Sequence, residues 1–202
     1  MRKGSLFIIS GPSGTGKDTV LAGVFAAEPE LRFSISSITR PMRAGESEGE
    51  KYHFISVEEF EKMLDEDAFL EHNTYLGNYY GTPKQPVVDC IEKGEDIFVE
   101  VDVNGARQIL NKMPQAVSIF ILPPSLEVLK SRLSKRGTET PEQLEKRLGE
   151  ALREISCADM YDYAIVNDKL EDAVADTLTV IRSERLRASR RADEIRKLTE
   201  NI

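Results

Sequence analysis

A glycine-rich segment near the N-terminus carries the strongest chemical signal in this 202-residue chain. It follows the apolar run 6–10 and consists of Gly11, Pro12, Ser13, Gly14, Thr15, Gly16, Lys17, Asp18 and Thr19. Glycines let a backbone wrap closely around phosphate oxygens, and successive N–H groups at the start of a helix supply positive potential. Lys17 adds a cation for the β- and γ-phosphates of a nucleoside triphosphate. The segment therefore predicts a phosphate-binding loop between a first strand and a first helix.

One position of this loop departs from the usual motif. After the lysine the motif has Ser or Thr, whose hydroxyl binds Mg²⁺, whereas this chain has Asp18. A carboxylate can hold Mg²⁺ directly or through water, and Thr19 can take part of that task. Without metal, the same carboxylate would weaken phosphate binding. We expect Asp18 and Thr19 to be metal ligands; the alternative is a glycine-rich turn with an ordinary surface lysine.

A second group of residues is suited to bind another phosphate. Arg40 and Arg43 stand three apart with a proline between them, and Tyr52 follows nine residues after Arg43. Two guanidinium groups can converge on one phosphate through paired hydrogen bonds. The chain therefore predicts two separate anion sites.

Three longer motifs make this pattern specific: TRPxRxGE at 39–46, GNYYGT at 77–82 and RGTET at 136–140. With these motifs in this order, the chain resembles guanylate kinase, and the resemblance runs from the phosphate loop through Asp168. It implies transfer of a phosphoryl group from ATP to GMP, assisted by Mg²⁺, to give ADP and GDP. It also implies that the nucleophile is a phosphate oxygen, so that no protein base is needed.

The resemblance implies roles for residues around GMP. Those expected to hold the GMP phosphate are Arg40, Arg43, Tyr52 and Tyr80. Those expected to read the guanine edge are Ser36, Glu71 and Thr82, where Glu71 would accept hydrogen bonds from N1–H and the 2-amino group. Glu46 would orient the arginines or contact the nucleotide. Each residue alone also has an ordinary structural interpretation, such as a surface ion pair for Arg43.

Arginines from the second half of the chain are expected on the ATP side. By resemblance, Arg132, Arg136 and Arg147 would close over ATP and the transferring group, although some of them could be helix-surface charges. Asn167 would contact adenine, but an Asn in a turn after a strand is equally ordinary. The catalytic set that this predicts comprises Lys17, Arg40, Asp102, Arg136 and Arg147.

Two carboxylates end an apolar strand, where α/β proteins place functional groups. The resemblance gives Glu100 and Asp102 a role in organising Mg²⁺ or Lys17 and in binding GMP, with Asp102 as a further metal ligand. The alternative is that Asp102 only caps the helix that begins near Asn104.

Composition excludes several other classes. With 27 Lys and Arg against 35 Asp and Glu, the net charge is −8, which opposes binding to nucleic acid or an anionic membrane. Cys90 and Cys157 form no CxxC pair, so a disulfide scaffold or thiolate zinc site is not expected. The run 6–9 is too short for a signal-peptide core, and no stretch has the length of a membrane span. We expect a cytoplasmic protein, and the sequence does not predict its oligomeric state.

Apolar patterning predicts the elements that position these residues. Strands are expected at 6–10, 96–103, 117–122 and 163–166, and helices at 57–64, 87–92, 104–112 and 126–133. Thr140 and Gln143 predict a capping box for a further helix. This alternation predicts an α/β fold with a parallel-sheet phosphate-loop core flanked by helices. The expected core is 1–34, 87–126 and 152–202, with a mixed α+β GMP-binding insertion at 35–86 and a small helical lid at 127–151.

The C-terminal segment is basic, with seven Lys or Arg against four Asp or Glu in 181–202. Leu170, Val174, Leu178 and Ile181 predict one long helix with a solvated basic face, or else a docking site for an acidic partner.

Two other functions stay open at this point. One is a catalytically weak guanylate-kinase-like binding module, opposed by the intact Lys17 and arginines and by the lack of a preceding SH3-like or PDZ-like segment. The other is a related kinase acting on another phosphorylated small molecule, opposed by Glu71 with Ser36 and Thr82.

Overall fold

The chain alternates short strands with helices throughout the computed structural model, which describes residues 2–134 and 140–200. Its strands are β1 Leu6–Ser10, β2 Arg32–Phe33, β3 Ser36–Ile38, β4 Tyr52–Phe54, β5 Phe69–Tyr75, β6 Asn78–Pro83, β7 Ile97–Glu100, β8 Val117–Leu122 and β9 Tyr163–Val166. Its α-helices are α1 Lys17–Ala27, α2 Val57–Asp65, α3 Lys84–Glu92, α4 Val103–Lys112, α5 Leu126–Ser134, α6 Pro141–Ile155, α7 Leu170–Arg185 and α8 Ala192–Thr199. The strands predicted at 6–10, 117–122 and 163–166 are confirmed, while the one predicted at 96–103 is shorter because Asp102 caps α4.

A five-stranded parallel sheet, in the order β2-β7-β1-β8-β9, forms the core. Ile8 in β1 lies beside Val99 in β7 and Ser118 in β8. Parallel strands end at the same edge, so the phosphate loop after β1 and the carboxylates after β7 become neighbours. The predicted α/β fold with a parallel sheet is confirmed.

Successive side chains of β1 point to opposite faces of this sheet. Phe7 and Ile9 pack in a cluster with residues of α1 and α7, whereas Leu6 and Ile8 pack in a second cluster with residues of α3 and α4. All four side chains are buried. Burial on both faces explains why β1 and β8 are almost continuously apolar in sequence.

A second, mixed sheet, in the order β4-β3-β6-β5, is inserted between β2 and α3. Its strands β3 and β4 are parallel, and the other two pairs are antiparallel. Ser56 caps α2 by accepting from the Glu59 N–H. The ring of Phe60 then stacks on Phe69, with 4.4 Å between ring centroids.

Edge strand β5 is bound to core helix α4. The Gln108 amide accepts from the His72 N–H at 3.2 Å and donates to the His72 carbonyl at 3.0 Å, as a neighbouring strand would. Lys112 donates to the Phe69 carbonyl at 2.7 Å. The base of the inserted sheet is therefore fixed to the core by side chains. Whether 35–86 and 127–151 move as separate units stays a prediction.

The predicted single C-terminal helix is wrong. Helix α7 ends at Arg185, a 3₁₀ turn follows at Ala188–Arg191, and α8 is separate. The expected solvated basic face is also only partly present, because Arg185 bonds Glu28 and Asp96 and Arg190 bonds Glu184. The basic charge of this segment is used in part to attach it to the core. No helix in the described part of the chain is long and apolar enough to cross a bilayer.

Candidate active site

The phosphate loop joins the carboxyl end of β1 to the first turn of α1. Gly16 has φ +87°, and a Cβ there would lie 2.5 Å from the Asn167 Nδ2. Gly11 has φ +146°, and a Cβ there would lie 2.5 Å from the Ile121 carbonyl oxygen. Both the positive φ and the close approach require glycine at these positions. The predicted loop conformation thus depends on contacts with β8 and with the residue that follows β9.

Lys17 lies at the centre of the loop. Its Nζ donates to the Gly11 carbonyl oxygen at 2.6 Å and lies 3.9 Å from a carboxylate oxygen of Glu100. Glu100 is at the carboxyl end of β7, and its pKa is raised above the usual value for a glutamate. Burial is the main cause, the charge of Lys17 opposes it, and the charge of neighbouring Asp18 adds to it. Lys17, Asp18 and Glu100 line the same cavity.

Three cavities, of about 430, 500 and 400 Å³, join into one cleft. Ser13, Lys17 and Asp18 line both the first cavity and the second. The second and third share five residues: Ser36, Tyr52, Glu100, Val101 and Asp102. We call the first the donor cavity, the second the central cavity and the third the acceptor cavity. Lys17 therefore lies between the two end cavities.

Arg40 lines the acceptor cavity, and its charge is paired with a carboxylate. It donates from both terminal nitrogens to the Glu46 carboxylate, at 2.7 and 2.5 Å, and its guanidinium lies 5.5 Å from the Tyr52 ring centroid. The hydrogen bond from Arg40, followed by one from the Arg43 N–H, lowers the pKa of Glu46 to about 2. Arg43 and Tyr80 line the same cavity. The structure therefore brings the four predicted phosphate-binding residues together, with Glu46 as the partner of Arg40.

Glu71 forms the buried end of the acceptor cavity. Only 6% of it is exposed, and it lies directly across the β5–β6 ladder from Thr82, whose hydroxyl donates to the Glu71 Oε1 at 2.6 Å. Burial raises the pKa of Glu71, the Thr82 hydroxyl lowers it, and the nearby charge of Asp102 raises it. Such a carboxylate can accept hydrogen bonds from a ligand while its own position stays fixed.

The donor cavity is organised by Asn167, which follows β9, and by Arg132 of α5. Asn167 donates from its amide to the Thr15 carbonyl oxygen at 2.7 Å. Arg132 donates to the Asn167 carbonyl at 3.1 Å and to the Thr15 carbonyl at 3.4 Å. Both side chains therefore support the loop from outside, and both line the cavity. Arg136 lies outside the described residues.

Asp102 has the capping function considered above. Its carboxylate accepts from the Gly105 N–H at 2.7 Å and from the Asn73 amide at 3.1 Å. It also lines the central and acceptor cavities, so capping and ligand contact are compatible. Its predicted metal role stays a prediction, and within residues 2–134 and 140–200 no three His, Cys, Asp or Glu side chains converge as a complete metal site.

Several cleft residues were missed by the sequence reasoning, among them Lys51, Asn73 and Glu154. Two had a usable signal. Asn73 follows Glu71 by two residues, so strand alternation places both on one face. Glu154 follows Arg147 by seven residues, which is two helical turns on one face of α6. Burial raises the pKa of Glu154 in the central cavity. Lys51 precedes Tyr52 in a turn and had no periodic signal.

The parallel sheet with a phosphate loop after its first strand defines a nucleotide-binding α/β protein of the P-loop class. The family model described as guanylate kinase matches residues 3–184. Guanylate kinase of Carboxydothermus hydrogenoformans is 47% identical over 190 residues, covering 94% of this chain and 93% of that protein. That of Oceanobacillus iheyensis is 46% identical over 199 residues, covering 98% and 97%. The crystal structure of guanylate kinase from Anaplasma phagocytophilum superposes with a TM-score of 0.74 at 33% identity, covering 94% of this chain and 90% of that one. The chain belongs to the guanylate kinase family.

Proposed function

We propose that this protein transfers the γ-phosphoryl group of ATP to GMP, giving ADP and GDP. The observation that carries the proposal is the continuous cleft, which has the phosphate loop at one end, Lys17 at its centre, and Arg40 with Glu71 at the other end. Two phosphate sites facing each other across one lysine suit a reaction between two nucleotides. Membership of the guanylate kinase family supports the same reaction.

GMP itself supplies the nucleophile in this mechanism. A phosphate monoester has a second pKa of about 6, so it is mostly dianionic at neutral pH and one of its oxygens can attack the γ-phosphorus directly. That oxygen forms a new bond to phosphorus while the bond from the γ-phosphorus to the β–γ bridging oxygen breaks, and ADP leaves with the bridging oxygen. Arg40, Arg43, Tyr52 and Tyr80 hold the GMP phosphate in line.

The remaining basic groups counter the charge of the transition state. Lys17 leaves the Gly11 carbonyl, 2.6 Å away, to contact the β- and γ-phosphates, and the loop N–H groups contact the same oxygens. Arg147, already in contact with Ser13 of the loop, binds the transferring group from the side of α6. Phosphoryl transfer proceeds mainly by such positioning and charge stabilisation. Arg136 completes this set in our proposal.

The residues of the loop fit Mg²⁺. Magnesium is usually held by one or two carboxylates with substrate phosphates and water. Asp18 and Glu100 provide two carboxylates near each other beside Lys17, and Thr19 adds a hydroxyl in the donor cavity. Bound there with ATP, the ion would neutralise part of the phosphate charge.

Guanine is selected by polar groups that adenine leaves unpaired. Glu71 and Asp102 accept hydrogen bonds from N1–H and the 2-amino group, and Ser36 and Thr82 complete the base edge. Adenine lacks both donors, so binding it would leave buried acceptors unsatisfied, and the resulting discrimination can reach several orders of magnitude. Asn167 contacts the adenine of ATP at the opposite end.

Water has to be excluded during transfer, because it would otherwise hydrolyse ATP. We propose that the insertion 35–86 and the lid 127–151 close over the bound nucleotides. ATP and GMP are the proposed partners, with no role for nucleic acid or a membrane. The cytoplasm is the proposed location.

An ADP-release assay tests the proposal. ATP and Mg²⁺ are supplied with GMP, dGMP, AMP, UMP or CMP, and ADP is coupled to NADH oxidation. We expect turnover with GMP and dGMP that exceeds turnover with the other three by at least a hundredfold. Turnover with another nucleotide only would indicate a different kinase. Binding of GMP without any ADP release would indicate a binding module.

A further inference from the structure

Asn73 lines the acceptor cavity between the proposed guanine acceptor Glu71 and the proposed phosphate ligand Tyr80. On strand β5 the side chains of Glu71, Asn73 and Tyr75 alternate onto one face, and all three line this cavity. Across the β5–β6 ladder Glu71 lies opposite Thr82, and Asn73 lies opposite Tyr80. Asn73 therefore follows the proposed guanine acceptor and faces a proposed phosphate ligand.

The hydrogen bonds of Asn73 fix the direction of its amide. Its Oδ1 accepts from the Thr74 N–H at 2.8 Å, so the carbonyl side is used within β5. Its Nδ2 is left to donate, and it does so to the Asp102 Oδ2 at 3.1 Å. This bond joins the inserted sheet to the core at the end of β7.

Asp102 is consequently held by two donors of different origin. The Gly105 N–H binds its Oδ1 at 2.7 Å, as a helix cap does, while Asn73 binds its Oδ2. A carboxylate accepts about four hydrogen bonds, which leaves Asp102 free to accept from a ligand. The helix cap restrains Oδ1 alone, and the bond from Asn73 restrains Oδ2 as well. The bond from Asn73 sets the orientation.

We propose that Asn73 is a positioning residue for guanine recognition: it orients Asp102 beside Glu71, so that two carboxylates receive the two donors of the guanine edge. This inference rests on the proposed function, since it concerns the same acceptor cavity. The residue acts through Asp102. It therefore governs the contribution of the 2-amino group to binding, and it does not govern the chemical step.

The test compares GMP with inosine monophosphate, which is GMP without the 2-amino group. Dissociation constants for both are measured by titration calorimetry on the wild type, on Asn73→Leu, which is similar in size, and on the smaller Asn73→Ser. Turnover with saturating GMP is measured alongside. Asn78→Ala is the matched control, because Asn78 belongs to the same hairpin and its amide donates to the Leu76 carbonyl at 3.1 Å.

We expect both Asn73 variants to bind GMP about 10-fold to 100-fold more weakly, as for loss of a hydrogen bond to a charged group. Binding of inosine monophosphate should change less than threefold and turnover less than twofold, with Asn78→Ala like the wild type. Equal weakening for both nucleotides, or unchanged GMP binding, in a variant that melts like the wild type would overturn the inference. Absence of GMP turnover in the wild type would instead overturn the proposed function.

Discussion

Arg147 of α6 donates a hydrogen bond to the Ser13 hydroxyl of the phosphate loop at 2.7 Å. Two helical turns further along, Glu154 lines the central cavity beside Lys17. One face of α6 therefore covers the middle of the cleft, where the phosphoryl group would pass from one nucleotide to the other. In the proposed reaction, the position of this helix would set how close the charge of Arg147 lies to the transferring group.

Replacing Arg147 with Met should mainly reduce turnover. The variant keeps the length of the side chain and removes the charge that would contact the transition state, so we expect kcat to fall about 100-fold to 1000-fold. The KM for GMP should stay within threefold, because Arg40 and Arg43 are the arginines proposed to hold that phosphate. Steady-state kinetics with both substrates would check this.

Arg153→Met is the matched control for this experiment, since Arg153 is exposed on the same helix. It should leave kcat within twofold. A selective rise in the KM for GMP in Arg147→Met, without loss of kcat, would contradict a role at the transferring group.

Asp18 provides a test of the unusual phosphate loop. Its carboxylate and that of Glu100 lie near each other, and Mg²⁺ with ATP would relieve their repulsion. In Asp18→Ala we expect the Mg²⁺ concentration for half-maximal rate to rise roughly tenfold at fixed ATP. Asp18→Ser restores the usual hydroxyl of the motif and should recover most of the loss. If Asp18→Ala keeps both the Mg²⁺ dependence and the rate of the wild type, Asp18 is not a metal ligand.

The core was predictable because its signals are local. The strands at 6–10 and 117–122 are buried on both faces and are therefore almost continuously apolar. The loop glycines indicate a tight turn, because glycine readily adopts a positive φ. The inserted sheet was harder to predict, since its strands have only three to seven residues and some of them pair across long separations in sequence. Glu71 and Thr82 could be assigned a role only through the family resemblance, whereas the spacing of Arg40 and Arg43 already indicated an anion site.

The misjudged C-terminus has a similar explanation. Helical periodicity continues through 181, and nothing local shows that the chain turns at Leu186 to bring Arg190 to Glu184. Such ion pairs depend on which elements meet in the fold. The same holds for Asn73, whose partner Asp102 is 29 residues away.

Glu71→Gln should separate function from stability. Burial raises the pKa of Glu71, so the folded state favours its protonated form, and its ionisation costs stability as pH rises above the ordinary value for a glutamate. A neutral amide avoids this cost and can donate to nearby Asp102. We expect the free energy of unfolding at pH 8 to equal or exceed that of the wild type.

The same variant should lose guanine recognition, because the amide replaces one carboxylate oxygen of Glu71 with an N–H donor and removes the negative charge that would attract the guanine N–H groups. We expect the KM for GMP to rise at least 100-fold. Urea unfolding and steady-state kinetics give the two readouts, with Glu92→Gln on exposed surface as control. A variant that is less stable at pH 8 and equally active would refute both parts.

The ionised carboxylate of Asp96 should stabilise the fold most at pH values above the ordinary pKa of an aspartate. Its side chain is 1% exposed, and it binds Arg2, Arg185 and the Ser5 N–H, so it joins the N-terminus to α7. Burial raises the pKa of Asp96, but the two arginines outweigh burial and hold it below the usual value.

A lowered pKa gives stability that is present above about pH 4 and disappears as pH falls through the folded value. We therefore expect Asp96→Asn to lose about 3 kcal/mol in urea unfolding at pH 7, since it leaves the partly buried Arg2 without its carboxylate partner and Arg185 with Glu28 alone. The deficit should shrink at pH 3, and Asp65→Asn, on exposed surface, should match the wild type at both pH values. An equal deficit at pH 7 and pH 3 would show that packing, and not the charge of Asp96, holds this junction.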